Sequence, residues 1–437
     1  MTMLAYTLGV LLFAIGLIAS IALHEVGHMW PAKKFGVKVT QYFVGFGRTL
    51  WSTKRGETEY GVKAIPLGGY VKLVGMLPPE KGADPTTVRK SNTGLFTQLI
   101  SDARQAEYEH VDPSETDRLF YRKPWWQKLI VMTGGPMVNV VIAVMLLGGI
   151  WMLYGVYEPR PVVAQVSDCV IPADEVAADP ERTCEGGDTV SPARDAGLRS
   201  SDRIVSFNGE WVGSWDELTG LIRGNEDGVA AIGVMRDGRP MTLRTNTTVS
   251  VRPDLEDQAE YVEVGFLGVT PEQVRERQGP VYVMASMWDY TKATGEALIQ
   301  LPQRMVGVFE AAFGGEREQD SPVSVVGASR VAGEIASTDQ LIVGDKIAGA
   351  IQLLGIVNLF VALFNFIPLL PLDGGHIAGA LYEAVRRGIA RVRGRPDPGY
   401  VDVAKMLPVA YAMAGILICM GVLLIYADLV NPIRLGL

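Results

Sequence analysis

Four stretches of this 437-residue chain contain no Asp, Glu, Lys or Arg: residues 2–23, 129–157, 347–372 and 406–427. Crossing a bilayer as a helix takes about 20 apolar residues, so each stretch is long enough to span one. Few other folds accommodate four such runs. Apolar residues make up 48% of the chain and charged residues 20%, a balance that suits membrane helices joined to water-exposed parts. The first run ends in HEVGH rather than a small-residue cleavage site and has no basic segment ahead of it, so it reads as a span and not a signal peptide.

Charge is divided unevenly between the segments that join these runs. Residues 29–128 carry 16 basic and 10 acidic side chains, whereas residues 158–346 carry 17 basic and 32 acidic. Five arginines (Arg386, Arg387, Arg391, Arg393 and Arg395) lie in what reads as a short loop after the third run. Basic flanks stay cytoplasmic, so the segments after spans one and three are expected inside. Both termini and the acidic region are then expected outside. No feature suggests nucleic-acid binding. Trp125 and Trp126, between basic residues in RKPWWQK, look like an anchor at the inner surface.

His24, Glu25 and His28 stand at the inner end of the first run, where ionisable groups are costly and a functional role is the default. On a helix, the two histidines lie about 40° apart and one turn along. Both can therefore reach one zinc ion, with Glu25 about 100° away, near a metal-bound water but off the metal. This is the HExxH pattern of a metallopeptidase, with Glu25 as general base. It uses two of only four histidines in the chain. His110 reads as a solvated side chain in a polar loop.

A catalytic zinc ion takes three protein ligands, so a third should lie at the same depth on another segment. Asp373 closes the third uncharged run, NLFVALFNFIPLLPLDGGH, near the inner boundary. Pro368 and Pro371 break that helix, and Gly374 and Gly375 are expected to let the backbone turn the acid inward. His376 is the alternative third ligand.

HEVGH in the first span, NFIPLLPLDGGH in the third and a PDZ-like segment between them resemble the site-2 protease family of intramembrane zinc metalloproteases, most closely its bacterial branch that cleaves anti-sigma factors. The resemblance covers nearly the whole chain, apart from the 77–122 loop and an insertion near 168–190. It implies zinc ligands His24, His28 and Asp373, catalytic Glu25, and a substrate-gripping role for Asn365 in N-x-x-P-x-x-P-x-D. It also implies that residues 57–74, including Tyr60, Val62, Ala64, Gly68 and Gly69, form a membrane-associated β-loop that pairs with substrate as an added strand. The blander alternatives are an Asn365 bonded to its own helix and a purely structural hairpin.

The fold class expected is a polytopic α-helical membrane protein of about four spans, with a membrane-associated β-loop and an extracytoplasmic PDZ-like α/β domain. The divisions are 1–76 (first span and β-loop), 77–128 (cytoplasmic loop), 129–157 (second span), 158–252 (PDZ-like domain), 253–346 (post-PDZ helical region) and 347–437 (last two spans). PVVAQV and RIVSFNGEWV read as strands, SWDELTGLIRG as a helix opened by Ser214, and the residues around Asp237-Gly238 as a hairpin. Cys169 and Cys184, in the insertion, are either a disulfide or two free thiols. Residues 322–330, PVSVVGASR, read as a linker docked on the membrane helices.

The expected activity is hydrolysis of a peptide bond in or near the transmembrane segment of single-span proteins such as anti-sigma factors, after a first cut by an upstream site-1-type protease. A PDZ ligand is a further possible partner. The PDZ-like domain is expected to act as a size filter. The rival readings are a metal transporter or sensor and a non-catalytic PDZ scaffold.

Overall fold

The computed structural model describes residues 2–79, 100, 113–179, 182–255, 260–315, 317–318 and 321–433. His110 and most of the 77–122 loop lie outside these. The chain divides into two compact units, one of Met1–Tyr154 with Gly279–Leu437 and one of Gly155–Gln278.

Among the described residues, four helices of the first unit are long and apolar enough to cross a membrane. The first, Thr2–Lys34, runs on past HEVGH and through Pro31 before ending at two lysines. The second, Trp125–Gly149, continues as a π turn over Ile150–Tyr154. The third stops at Asn365, seven residues short of the end of its uncharged run. Pro368 and Pro371 lack the N–H that a helix interior needs, so residues 366–372 form the break. The fourth is Leu407–Val430.

Within lipid, helices associate through small residues that let backbones approach, and the spans pack in this way. A Cβ on Gly134 of the second span would lie 2.0 Å from the Gly27 carbonyl oxygen of the first. A Cβ on Gly355 of the third would lie 2.8 Å from Leu147 of the second. Between spans one and three, the Asn358 amide donates to Ser20 Oγ at 3.1 Å. The PVSVVGASR segment opens a helix, Val325–Ser337, capped by Ser324. That helix packs against span one, where a Cβ on Gly9 would meet Ala336 and Ala332.

Two features depart from expectation. The arginine-rich segment after the third span is a helix, Asp373–Val392, and not a short loop. Gly374 and Gly375 are not in the left-handed region, so they do not turn the chain. They are needed for close approach: a Cβ on Gly374 would lie 2.0 Å from the Ile367 carbonyl oxygen, and one on Gly375 2.6 Å from Leu370 N.

Strands β1 (Val39–Arg55) and β2 (Thr58–Leu73) fold on each other twice. Residues 39–44 lie between two parts of β2, pairing with 69–73 on one side and 59–62 on the other. Residues 51–55 then pair with 58–62. Gly45 and Gly47, at φ of 94° and 83°, allow β1 to bend between its two halves. The stretch 69–73 is left as an edge, with no ladder partner on its far side among the described residues.

The second unit is built on a sheet ordered β10-β3-β4-β6-β7, with the short β5 (Glu210–Trp211) beside β4. The strands are β3 (Val156–Val166), β4 (Arg203–Phe207), β6 (Val229–Arg236), β7 (Arg239–Asn246) and β10 (Val269–Glu276). Strands β8 (Thr248–Pro253) and β9 (Tyr261–Phe266) form a separate pair. The unit extends past residue 252 because β10 returns to pair with β3. Its core includes Ile204, Phe207, Leu218 and Ile232, all essentially inaccessible. Ser214 and Glu217 form a capping box that starts the helix Trp215–Gly224, satisfying N–H groups that its first turn would leave open. Asp237 and Gly238 both take positive φ at the β6–β7 turn, as tight hairpins require. Cys169 and Cys184 are joined in a disulfide.

Asp202 receives both ends of the Arg236 guanidinium at 2.7 Å and the Arg199 N–H at 2.8 Å. Burial would raise its pKa, but these partners outweigh that and hold it below the usual carboxylate range. A depressed folded-state pKa gives stability that is complete above the unfolded value, about 3.9, and is lost as pH falls through the folded one. Hydrogen exchange of the β4–β6 ladder in the intact protein should therefore show a constant gap between wild type and Asp202→Asn from neutral pH to about 4. On further acidification the gap should shrink.

Candidate active site

The first-span helix places His24 and His28 one turn apart, with their Nε2 atoms separated by 3.2 Å. Asp373 is the first residue of the helix that follows the proline break. Its Oδ2 lies 3.3 Å from His24 Nε2 and 3.2 Å from His28 Nε2. These three are the one such group among the described residues. Residues from opposite ends of the chain are thus brought together, while His376 stands outside the cluster.

The donor set fits zinc. Bonds of about 2.0–2.1 Å at tetrahedral angles require ligand atoms roughly 3.3–3.4 Å apart, which is close to the three separations observed. His28 Nδ1 donates to the Val131 carbonyl at 2.8 Å, which leaves the Nε2 lone pair for a metal. His24 Nδ1 is buried, with no hydrogen-bond partner among the described residues.

A cavity of about 400 Å³ opens onto this cluster. Glu25, Gly68, Gly69, Asn139, Asn365 and His376 line it together with His24, His28 and Asp373. Gly69 passes against the Glu25 side chain so closely that a Cβ there would lie 2.9 Å from Glu25 Cγ. Asn365 Nδ2 donates to the Val361 carbonyl of its own helix at 3.0 Å, the local bond of the blander reading, although the side chain still faces the cavity. Of the other β-loop residues singled out, Tyr60, Val62 and Ala64 do not line the cavity. The Tyr60 hydroxyl accepts from Lys33 at 2.6 Å, and Val62 pairs with both Val44 and Trp51.

Three contributors escaped the sequence reading. Tyr42 donates from its hydroxyl to the Ala22 carbonyl at 2.8 Å, tying the sheet to span one. Its pKa is pushed up to about 12, by burial first and by the Glu25 carboxylate next. Asn139 is buried, and its Oδ1 has no hydrogen-bond partner among the described residues. A polar side chain at membrane depth in TGGPMVN was the available signal. Gly135 lies against both rings: a Cβ there would fall 2.2 Å from His28 Nε2 and 2.7 Å from His24 Nε2.

Known proteins are similar to this chain over most of its length. Residues 12–407 match peptidase family M50. Zinc metalloprotease Rip1 of Mycobacterium tuberculosis (strain H37Rv) is 35% identical, over 98% of this chain and 99% of its own. Metalloprotease MmpA of Caulobacter vibrioides is 25% identical over 86% of each chain. The regulator of sigma-W protease RasP of Bacillus subtilis is 22% identical, over 83% of this chain and 87% of its own. The chain belongs to peptidase family M50, the site-2 protease family. Membership makes it a zinc metalloendopeptidase, and the four apolar helices among its described residues mark it as a multi-pass membrane protein.

Gly135→Ala should push the imidazole pair apart. Elemental analysis of the purified protein is expected to show substoichiometric zinc, whereas Gly149→Ala, whose Cβ would meet nothing within 4 Å, should retain it.

Proposed function

We propose that the chain hydrolyses a peptide bond in or near the transmembrane segment of single-span membrane proteins, anti-sigma factors among them, after a first extracytoplasmic cut. The observation that carries this reading is the meeting of His24, His28 and Asp373 with Glu25 in a cavity at the end of an apolar helix. When bound, the zinc ion supplies Lewis acidity toward the scissile carbonyl. His24, His28 and Asp373 hold it, and the Val131 carbonyl fixes the ring of His28. Glu25 accepts the proton of the attacking water and passes it to the leaving amine.

A substrate helix hides its peptide bonds in its own hydrogen bonds and must unwind before attack. Each backbone group left unpaired in lipid then costs several kcal/mol. The open edge at 69–73 offers pairing by strand addition. Gly68 and Gly69 present no side chain to obstruct the approach, and Gly68 sits at φ 113°, a conformation suited to glycine. Asn365 and Asn139 offer further polar contacts along the cavity wall.

The basic residues flanking this end of the spans support an active site near the cytoplasmic face, with the Gly155–Gln278 unit and both termini outside. We assign that unit as a PDZ domain, on the likeness of SPARDAGLRSSDRIVSFNG and on its strand and helix content. Its proposed role is to exclude substrates that still carry a bulky ectodomain.

In reconstituted vesicles with a single-span substrate, Glu25→Gln should retain zinc and lose cleavage by roughly 10²–10⁴-fold. Chelation should abolish wild-type cleavage, and added zinc should restore it. A Glu25→Gln protein that cleaves at the wild-type rate would overturn the mechanism. For the size filter, removal of residues 155–278 should permit cleavage of an untrimmed substrate; unchanged discrimination would count against it.

A further inference from the structure

The helix Asp373–Val392 has two unlike faces. Ala380, Glu383 and Ala390 are buried. Glu383 accepts from Lys128, at the start of span two, at 2.7 Å. On the other face Leu381, Val385, Ile389 and Val392 are 46–88% exposed. At 100° per residue they fall within an arc of about 80°. This is a continuous apolar stripe on a helix that also carries Glu383, Arg386, Arg387 and Arg391, too charged to cross a bilayer.

Its depth can be fixed independently. Lys128 stands two residues from Trp126, which is 44% exposed and packs edge-on against Phe35 at 5.5 Å. Trp30, 65% exposed beneath the Lys34 ammonium, stands at the end of span one. Tryptophans flanked by lysines mark the lipid–water boundary, so the ion pair to Lys128 holds the stripe at that level. Beyond the buried contacts, Arg391, Arg393 and Arg395 form an exposed basic cluster at the helix end.

We infer that Asp373–Val392 lies in the plane of an anionic lipid leaflet, with its apolar stripe among the acyl chains and these three arginines against lipid phosphates. In-plane helices of this composition bind through apolar burial together with attraction to anionic lipid. Because Asp373 is the first residue of this helix, the leaflet helps to seat the third metal ligand. That consequence rests on the metal-binding role proposed for Asp373; the docking itself does not.

The test uses the full chain with Ile389→Cys in a Cys419→Ala background, labelled with an environment-sensitive fluorophore. It is reconstituted in phosphatidylcholine vesicles with or without phosphatidylglycerol. With phosphatidylglycerol, emission should shift to the blue and be quenched by acyl-chain nitroxide more than by a water-soluble quencher. Replacing Arg391, Arg393 and Arg395 with Gln should remove the dependence on phosphatidylglycerol, at roughly 5-fold per arginine and roughly 150-fold for the three. Equal access by the water-soluble quencher in both vesicles would overturn the inference. So would protection from both quenchers, which would mean that protein covers the stripe. Lipid quenching indifferent to phosphatidylglycerol and to the three arginines would also overturn it. Zinc retention measured on the same samples separates the outcomes: docking without any effect on zinc would leave the lipid contact standing and remove its link to Asp373.

Discussion

The contact between Gly27 and Gly134 is the constraint on which the metal site depends. Without side chains at these positions, spans one and two approach until a single added methyl would overlap the opposing carbonyl. That proximity lets the Val131 carbonyl orient His28 and lets Gly135 pass beneath both rings. The same second span reaches the other half of the site through Lys128, whose ammonium holds Glu383 on the helix that begins with Asp373. Span two contributes none of the His24, His28 and Asp373 group found among the described residues, yet it contacts both segments that carry it.

Placing charge where water is scarce is expensive, and the chain does so in pairs. Lys128 and Glu383 are 9% and 2% exposed at their side chains, and Arg387 adds a second contact to Glu383 at 3.1 Å. Arg317 and Asp428 are each 2% exposed, and Asp428 also accepts from Ser324 N and Gly327 N. Removing one member of a buried pair typically costs about 3–5 kcal/mol, because its partner is left uncompensated. Such pairs fix geometry more than they add net stability, and both here join segments distant in sequence. One aligns the Asp373 helix with span two. The other aligns the start of the Val325–Ser337 helix with the end of span four.

What could be read from the sequence followed from local rules. Uncharged length located four spans, helical spacing joined His24 to His28, and charge placed Asp373 at the same depth as both. The capping box at Ser214 and the turn at Asp237-Gly238 are equally local. The features that were missed depend on partners far along the chain. Nothing near Gly374 shows that Ile367 will press against it, so its glycine was read as a turn. The return of β10 to β3 spans about a hundred residues, and the placement of 39–44 between two parts of β2 follows from a double fold that alternation alone does not encode. Gly135 sits in an unremarkable apolar run, and its relevance appears only when span one lies against it; Asn139, by contrast, carried a signal in its polarity at membrane depth. The arginines after the third span were counted for orientation, and their helical spacing with Leu381, Val385 and Ile389 was overlooked.

The open edge of the sheet bears on where a substrate could be cut. An edge of five residues, 69–73, can pair only a comparably short length of unwound chain. Unwinding a substrate helix further would leave additional N–H and C=O groups in lipid at several kcal/mol each. On the proposed reading, the scissile bond must then lie where the remaining groups can find water or stay helical, close to an interface and not at the bilayer centre. Glu25 and the histidine pair stand five to ten residues before the lysines that end span one, about 7–15 Å of helix. The depth of the chemistry and the limited length of the pairing edge therefore impose the same restriction on the substrate.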